Sequence, residues 1–454
     1  MKNWLRKAFN TEELPTKTQS LATKYFILFS TQIAQVQIAS TFLVLFLLEM
    51  VSFEELGLLL AIQFILTALL DYPTGALADA IGHRVVLTLA YCTYAIGILF
   101  LLTAGSFIGF VPWVILNAIG ISQESGALQS WFDNNYRAAI GTFDPDRKIY
   151  GVILGKIRII WRIISIIMIV IGGVIAGLYS RRFLFAIQLF LVLVALALIL
   201  LLMTNEVGME VPRRTLKAYR DHLTGGLQFV MSSKGTIAFF FGSALFSGTA
   251  SIWANLIQFP FYKSYSGTDE ATGVLRATLF ATSILGLVVI THLTKKVERP
   301  HKGLFLGYLL QGPIFFCLLL SFYETIPPPN KFVLLSFLAL ILLYQFASFS
   351  MPIVGILQSR FLLELVPNEY RNAVYSFTPS LVWLFSIPLI ILGGMAISNH
   401  GFSAGIMAVI VFTAIGSTAV GLGLYWLSKP QIPEIPSLED LGTAQKEVQV
   451  PTTG

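Results

Sequence analysis

Apolar residues fill this chain in runs of roughly 20, each long enough as a helix to cross a hydrocarbon core of about 30 Å. Short polar intervals separate the runs. Lipid offers the backbone no hydrogen-bond partner, so a run of this kind must satisfy its own N–H and C=O groups as a helix. The runs fall at 25–48, 55–74, 85–104, 107–132, 151–178, 183–203, 237–260, 272–293, 303–322, 333–358, 373–397 and 403–427, which predicts twelve spans in an all-α integral membrane protein. The runs at 107–132 and 333–358 are the least clean, because each ends in polar residues. The longest hydrophilic interval, Thr204–Gly235, divides the spans six and six. It holds Glu206, Arg213, Arg214, Lys217, Arg220 and Asp221 and is expected to form a cytoplasmic surface helix. From Lys429 onward, Pro430, Pro433 and Pro436 with few large apolar residues predict a flexible tail.

Composition supports this pattern. Of 454 residues, 56% are hydrophobic and 12% charged, with a mean hydropathy of +0.76; a soluble domain carries about 25% charged residues. The net charge of +6 would suit a nucleic-acid partner, but its distribution excludes one. The basic residues sit in short loops, where Lys and Arg decide topology. Twenty-one of them lie on the side of the N-terminus, the loops after even spans and the tail. Only Arg181, Arg182, Lys263 and Lys331 lie on the other side, so both termini are expected in the cytoplasm, across the cell (inner) membrane. Before the first run, Trp4, Leu5, Ala8 and Phe9 alternate helically with Lys2, Arg6 and Lys7. That predicts a helix lying on the bilayer surface rather than a cleavable leader. Cys92 and Cys317 fall inside spans far apart in sequence and read as small apolar packers, with no disulfide and no metal site.

The halves echo each other. Gly126-Ala-Leu128-Gln129-Ser130-Trp-Phe132 ends span 4, and Gly355-Ile-Leu357-Gln358-Ser359-Arg-Phe361 ends span 10. Both read G-x-L-Q-S-x-F at equivalent places, which points to duplication; repeats of this kind place a transport site between the halves near the midplane. The expected division is a cytoplasmic segment 1–24, a six-helix bundle 25–203, a linker 204–236, a second bundle 237–427 and a tail 428–454.

After span 2 comes Asp71-Tyr-Pro73-Thr-Gly75-Ala-Leu-Ala-Asp79-Ala80-Ile-Gly82-His83-Arg84. Gly75 and Gly82 suit a tight turn, and Asp79 suits a helix N-terminus or an arginine. The segment resembles the loop signature of the major facilitator superfamily, G-x-L-A-D-R-x-G-R-[KR], in its variant with an acidic residue two before Pro-Thr-Gly. Ser125-Gly-Ala-Leu-Gln-Ser-Trp131 resembles the span 4 sequence that accompanies that variant. The resemblance implies two pseudo-symmetric six-helix bundles and alternating access. It also implies a gating loop of Asp71, Gly75, Asp79, Gly82 and Arg84, in which the aspartate latches the halves. Ala80 stands where the family has a basic residue, and the later basic pair is reduced to His83-Arg84, so the latch's charge relay is expected to be weaker.

Ionisable groups within spans are functional candidates. Arg158 and Arg162 share one face of span 5, with Arg162 roughly 16 Å deep by helix rise. Lys156 can snorkel. Glu124 on span 4 lies roughly 12 Å above its cytoplasmic end by the same rise. Two readings stay open: a structural ion pair of Glu124 with Arg158 or Arg162, or a cluster that contacts substrate or couples to protons. By the resemblance, spans 1, 4, 7 and 10 line the cavity, which adds Gln35, Trp253, Asn255, Tyr344 and Gln345 as candidate contacts. Arg360 and Glu364 read as a gate or surface pair, and Pro352, Pro379 and Pro388 as kinks. No nucleophile–His–acid grouping, metal cluster or nucleotide loop points to an enzyme or a cofactor.

Three functions remain at this stage. One is a proton-coupled efflux carrier of an amphipathic compound, suited by 13% aromatic residues. Another is a carrier of an organic anion on Arg158 and Arg162. The last is a non-transporting receptor or a lipid scramblase on the same scaffold. The partners expected are a small-molecule substrate, protons as coupling ion and the lipid bilayer, with the chain a monomer. The charge bias makes one direct prediction: a fluorescent protein fused to the C-terminus glows, and alkaline phosphatase fused there is inactive. The reverse pattern would invert the topology.

Overall fold

A computed structural model describes residues 15–141, 144, 146–204, 224–293, 300–328 and 334–428. The expected N-terminal surface helix, most of the linker and the tail lie outside these residues. Every regular element among the described residues is helical, and ten helices are long and apolar enough to cross a membrane.

The helices of the first half are α1 (Thr16–Ala39), α2 (Leu43–Leu47), α3 (Phe53–Ile81), α4 (His83–Thr103), α5 (Phe107–Glu124), α6 (Ala127–Ile140), α7 (Lys148–Leu178) and α8 (Arg181–Leu202). α1 starts well before the expected residue 25, directly after Pro15. Thr18, Leu21, Ala22, Tyr25 and Leu28 recur on one buried face, so side-chain packing carries the helix through a polar stretch that hydropathy leaves out. α3 opens on a capping box: Ser52 Oγ accepts from the Glu55 N–H at 3.2 Å, and Glu55 Oε2 accepts from the Ser52 N–H at 2.9 Å.

The expected span 107–132 is two helices. The chain breaks at Ser125–Gly126, where Gly126 has a φ of 69° that a residue with a Cβ adopts only at a cost. Its repeat partner Gly355 is an ordinary position inside a continuous helix, so the G-x-L-Q-S-x-F echo covers two different local structures.

The second half holds a helical stretch at 224–230, then α9 (Lys234–Ile252), a π-helical turn (Trp253–Ile257), α10 (Gln258–Ser266), α11 (Asp269–Leu293), α12 (Pro300–Leu309), a second π-helical turn (Leu310–Ile314), α13 (Phe315–Thr325), α14 (Leu334–Leu365) and α15 (Asn368–Ser428). A straight α15 of 61 residues would be about 90 Å long. It is instead two rods joined at Gly401, whose φ of 75° and ψ of −171° are not helical. Their directions follow from α9 and the helical stretch before it. Gly226 meets Ala373 and Phe377, Gly248 meets Phe385, and Ile252 meets Gly393, which is parallel packing. Gly235 meets Leu427, Gly242 meets Ala419, and Phe246 meets Gly416, which is antiparallel. The chain therefore reverses at Gly401.

At the α6–α7 turn, Asp144 gathers the free N–H groups that begin α7. Its carboxylate accepts from the Ile149 N–H at 3.2 Å, the Tyr150 N–H at 3.0 Å and the Tyr136 hydroxyl at 2.9 Å. Burial opposes the charged form, but these hydrogen bonds outweigh it and hold the carboxyl below its ordinary range. A carboxyl depressed in the folded state stabilises the fold fully above its unfolded value of about 3.9, and that contribution fades as pH falls through the folded value. Asp144→Ala should cost about 0.5–2 kcal/mol at neutral pH. The gap in thermal midpoint between wild type and variant should close below about pH 4; an equal gap at pH 7 and pH 3 would contradict this role.

Candidate functional site

The halves of the chain meet along two helix pairs. α3 packs on α15 with Gly57 and Gly394 in contact, and a Cβ at Gly57 would stand 2.8 Å from the Ile390 carbonyl oxygen. α7 packs on α11 through Gly173 and Gly273, where a Cβ at Gly173 would stand 3.1 Å from the Gly273 Cα. With no side chain between them, the backbones touch. Further along the first seam, the rings of Phe64 and Trp383 lie 4.9 Å apart.

Beside these glycines lies a charge cluster that sequence reasoning missed. Arg181 Nε and Nη2 donate to the two Asp269 oxygens at 2.8 and 2.7 Å, a bidentate pair joining the halves. Arg181 Nη1 also donates to Glu49 at 2.7 Å and to the Leu45 carbonyl at 2.9 Å, and Lys263 lies 2.6 Å from Asp269. The side chains of Arg181 and Asp269 are only 14% and 8% exposed, so water screens this pair weakly. A cavity of about 460 Å³ lies here, lined by Phe46, Ala176, Arg182 and the charged cluster among others.

Glu124 is not where its expected partners are. Its carboxylate, at the end of α5, accepts from Gln32 Nε2 of α1 at 2.7 Å, and from the hydroxyls of Tyr91 and Tyr94 of α4 at 3.0 and 2.7 Å. Gly120, one turn earlier, leaves room for the Tyr94 ring, which a Cβ there would meet at 2.5 Å. Gln35 approaches Tyr91 from α1 and is itself buried. Gln32 Oε1 is buried without a partner, next to a cavity of about 10 Å³, room for about one water.

None of the ion pairs among the described residues includes Glu124, Arg158 or Arg162, so the structural ion pair, one of the two readings left open by the sequence, is not formed there. Arg162 reaches from α7 to the seam instead, whereas Arg158 lies near Tyr25 of α1 in its own half. Arg162, Ile169 and Gly173 fall on one face at spacings of seven and four, and Arg162 Nη1 donates to Ser283 Oγ of α11 at 2.7 Å. Arg158, one turn before Arg162 on the same face, is exposed. Opposite them, Asp269, Gly273, Arg276, Phe280 and Ser283 form the matching face of α11. Arg276 Nη1 donates across the seam to Thr41 Oγ1 at 3.1 Å and lies over the Phe259 ring at 5.1 Å. Arg276 is a further charge within a span that the sequence analysis did not single out.

The second half's candidates form a separate group. Tyr344 is buried and donates to the Gln258 carbonyl at 2.8 Å, and its ring lies 5.2 Å from that of Trp253. Trp253 opens a π-helical turn, a feature frequent at functional sites. Asn255 in that turn donates to the Ser251 carbonyl at 3.0 Å. Gln345 bonds Thr278 and Thr282, tying α14 to α11. Glu364 and Arg360 pair at 3.1 Å.

The expected gating loop is a single-residue turn. α3 ends at Ile81, Gly82 takes a φ of 92°, and α4 begins at His83. Arg84 donates to the Leu200 carbonyl at 2.8 Å, at the C-terminus of α8 where a cation is favoured, so it binds within its own half. Asp71 is exposed, and Gly75 lies in the last turns of α3. Asp79 belongs to the last turn of α3; its side chain lies outside the described part of the structure.

Residues 25–387 match the model of the Major Facilitator Superfamily. Solved structures share the fold. The nucleoside transporter NupG superposes with a TM-score of 0.67 at 12% identity, over 91% of this chain and 100% of its own. A bacterial homologue of the iron transporter ferroportin in an inward-facing state gives 0.69 at 11%, over 90% and 99%. A D-xylose–proton symporter gives 0.60 at 18%, over 90% and 96%. No curated protein sequence matches the chain.

The Arg181–Asp269 pair should hold the glycine seam shut. In protein lacking Cys92 and Cys317, a cysteine replacing the buried Ala176 should react several-fold faster with a polar thiol reagent once Asp269→Asn is added. An unchanged rate would show that the pair does not hold the seam.

Proposed function

The chain belongs to the major facilitator superfamily, and we propose that it is a proton-coupled secondary transporter that exports an amphipathic small molecule by alternating access. In this reading it spans the cell membrane twelve times as two pseudo-symmetric six-helix bundles, 25–203 and 237–427, with both termini cytoplasmic. The reversal at Gly401 supports the count, since it makes two spans of α15, and α1 with α2 supplies the first. The Lys and Arg bias puts the Asp269 end outside and the Gly82 turn inside. The seam glycines and the bidentate ion pair gathered at the Asp269 end support an inward-facing state in this reading.

One observation carries the proton coupling. Glu124 is an acid inside the membrane region, held by three neutral donors from two other helices and by no counter-charge. The charge state of such a group depends on whether those donors stay in place. A motion that displaces α4 or α1 from α5 therefore changes its affinity for a proton. Tyr91, Tyr94 and Gln32 position the acid, and Glu124 itself carries the proton. Trp253, half-buried and backed by the Tyr344 ring, offers aromatic surface to an apolar cargo. A second reading, a carrier of an organic anion on Arg158 and Arg162, is favoured by Arg162, which reaches the seam with no acid paired to it among the described residues.

The test is flux into proteoliposomes under an imposed pH gradient, with a panel of lipophilic cations and organic anions. Wild type should show gradient-driven flux, and Glu124→Gln should lower it more than about tenfold, the effect of removing an essential proton-transfer group. Absence of driven flux in wild type would overturn the carrier; retained coupling in Glu124→Gln would overturn Glu124 as its proton site.

A further inference from the structure

We propose that the cargo is an amphipathic organic anion whose acid group is held at the α7–α11 seam between Arg162 of the first half and Arg276 of the second. The proposal rests on the transporter reading and names the class of its substrate.

The two guanidinium groups form a reciprocal arrangement. Arg162 reaches from the first half to a hydroxyl of the second, Ser283, and Arg276 reaches from the second half to a hydroxyl of the first, Thr41. Arg276 and Ser283 are two turns apart on one face of α11, about 10 Å along its axis by helix rise. The register agrees across the seam. Gly173 meets Gly273 and Arg162 meets Ser283, so similar lengths of α7 and α11 separate the two contacts in antiparallel order. Both arginines therefore face one strip of the seam, from opposite halves.

Neither has a counter-charge. No ion pair among the described residues includes Arg162 or Arg276, and the acids on the two helices lie elsewhere: Asp269 is taken by Arg181 and Lys263, and Glu270 packs against Gly177. Guanidinium stays protonated in proteins and has five N–H donors. Each arginine spends one on a neutral hydroxyl, an interaction weaker than a bond to an anion. Two cations without an acid in a poorly hydrated seam are costly, and a carboxylate or phosphate reached by both would supply the missing charge. Ring faces flank both groups, Phe259 and Phe280 at Arg276 and Trp161 at Arg162. They partly stabilise the cations and give an apolar body a surface beside the acid group. Because each arginine belongs to a different half, an anion held by both would tie the halves together. One held by each in turn would pass along the seam.

The experiment is equilibrium binding to full-length protein in nanodiscs, with empty nanodiscs as reference. The probes are 2-naphthoate, its neutral amide and naphthylmethylammonium, which share one ring system and differ in charge. Wild type should bind naphthoate at least about tenfold tighter than the amide, as expected of charge-assisted hydrogen bonds, and the ammonium weakest. Arg162→Gln and Arg276→Gln should each reduce the naphthoate-to-amide ratio, and the double variant should abolish it. Ser283→Ala and Thr41→Ala, which free the guanidinium groups, should keep or raise the ratio. A ratio cancels a loss of folded protein, so a merely structural role for the arginines would leave it unmoved. Equal binding of the three probes, no saturable binding of naphthoate, or a preference that survives the double variant would each overturn the proposal. Arginine-dependent binding without gradient-driven flux would instead keep the site and overturn the carrier. Driven flux of cations with no anion preference would do the opposite.

Discussion

Helix backbones touch only where no side chain keeps them apart, and the join between the halves of this protein is built on that constraint. Gly57 with Gly394 and Gly173 with Gly273 place α3 against α15 and α7 against α11. Lipid is as apolar as a leucine side chain, so helices in a membrane gain little from hiding apolar surface from one another. Close packing and hydrogen bonds must supply the attraction. Glycine seams do the first, and the Arg181–Asp269 pair does the second where the seam reaches its end. A contact held by surface fit and one ion pair can release as a unit, which alternating access requires.

The same constraint sorts the charges. Paired ions sit at helix ends, as with Arg181 and Asp269, or Arg360 and Glu364. Away from the ends, acid and base are kept apart: Glu124 takes its hydrogen bonds from two tyrosines and a glutamine, and Arg162 and Arg276 donate to hydroxyls. A direct Glu124–Arg162 pair would have neutralised both groups and left neither to respond to a proton or a ligand. Separation leaves the acid inside one half and the bases on the surface between halves. In the proposed reading, the proton site and the cargo site would be coupled through the motion of the helices rather than by contact.

Much of this architecture was legible in the sequence, because a bilayer imposes run length and charge bias on any chain that crosses it. The Asp71–Arg84 segment identified the family, and residues 25–387 match its model. The site was less legible. Helix rise gives the depth of Glu124, Arg158 and Arg162 but not the direction each faces, and direction decided their partners. Tyr91 and Tyr94, three apart on span 3, were a readable signal, since a buried tyrosine hydroxyl needs an acceptor. So was the rarity of Arg181 and Lys263 among the four basic residues on their side: both end in the Asp269 cluster. Gly126 broke an expected span because a run of apolar residues carries no mark of a positive φ. α1 ran past its apolar segment because buried packing, not hydropathy, holds its first turns.

In the proposed cycle the halves rock against each other, the glycine seams parting as the opposite end closes. This motion is tested most directly by measuring both ends in one protein. Spin labels at Tyr179 and Gly267 span the Asp269 end, and labels at Ile81 and Tyr375 span the end of the Gly82 turn, in a background without Cys92 and Cys317. Distance distributions recorded by pulsed electron resonance in nanodiscs, at pH 8 and at pH 5, should shift in opposite directions at the two ends. Distances that stay fixed at both ends, or that lengthen together, would contradict the account.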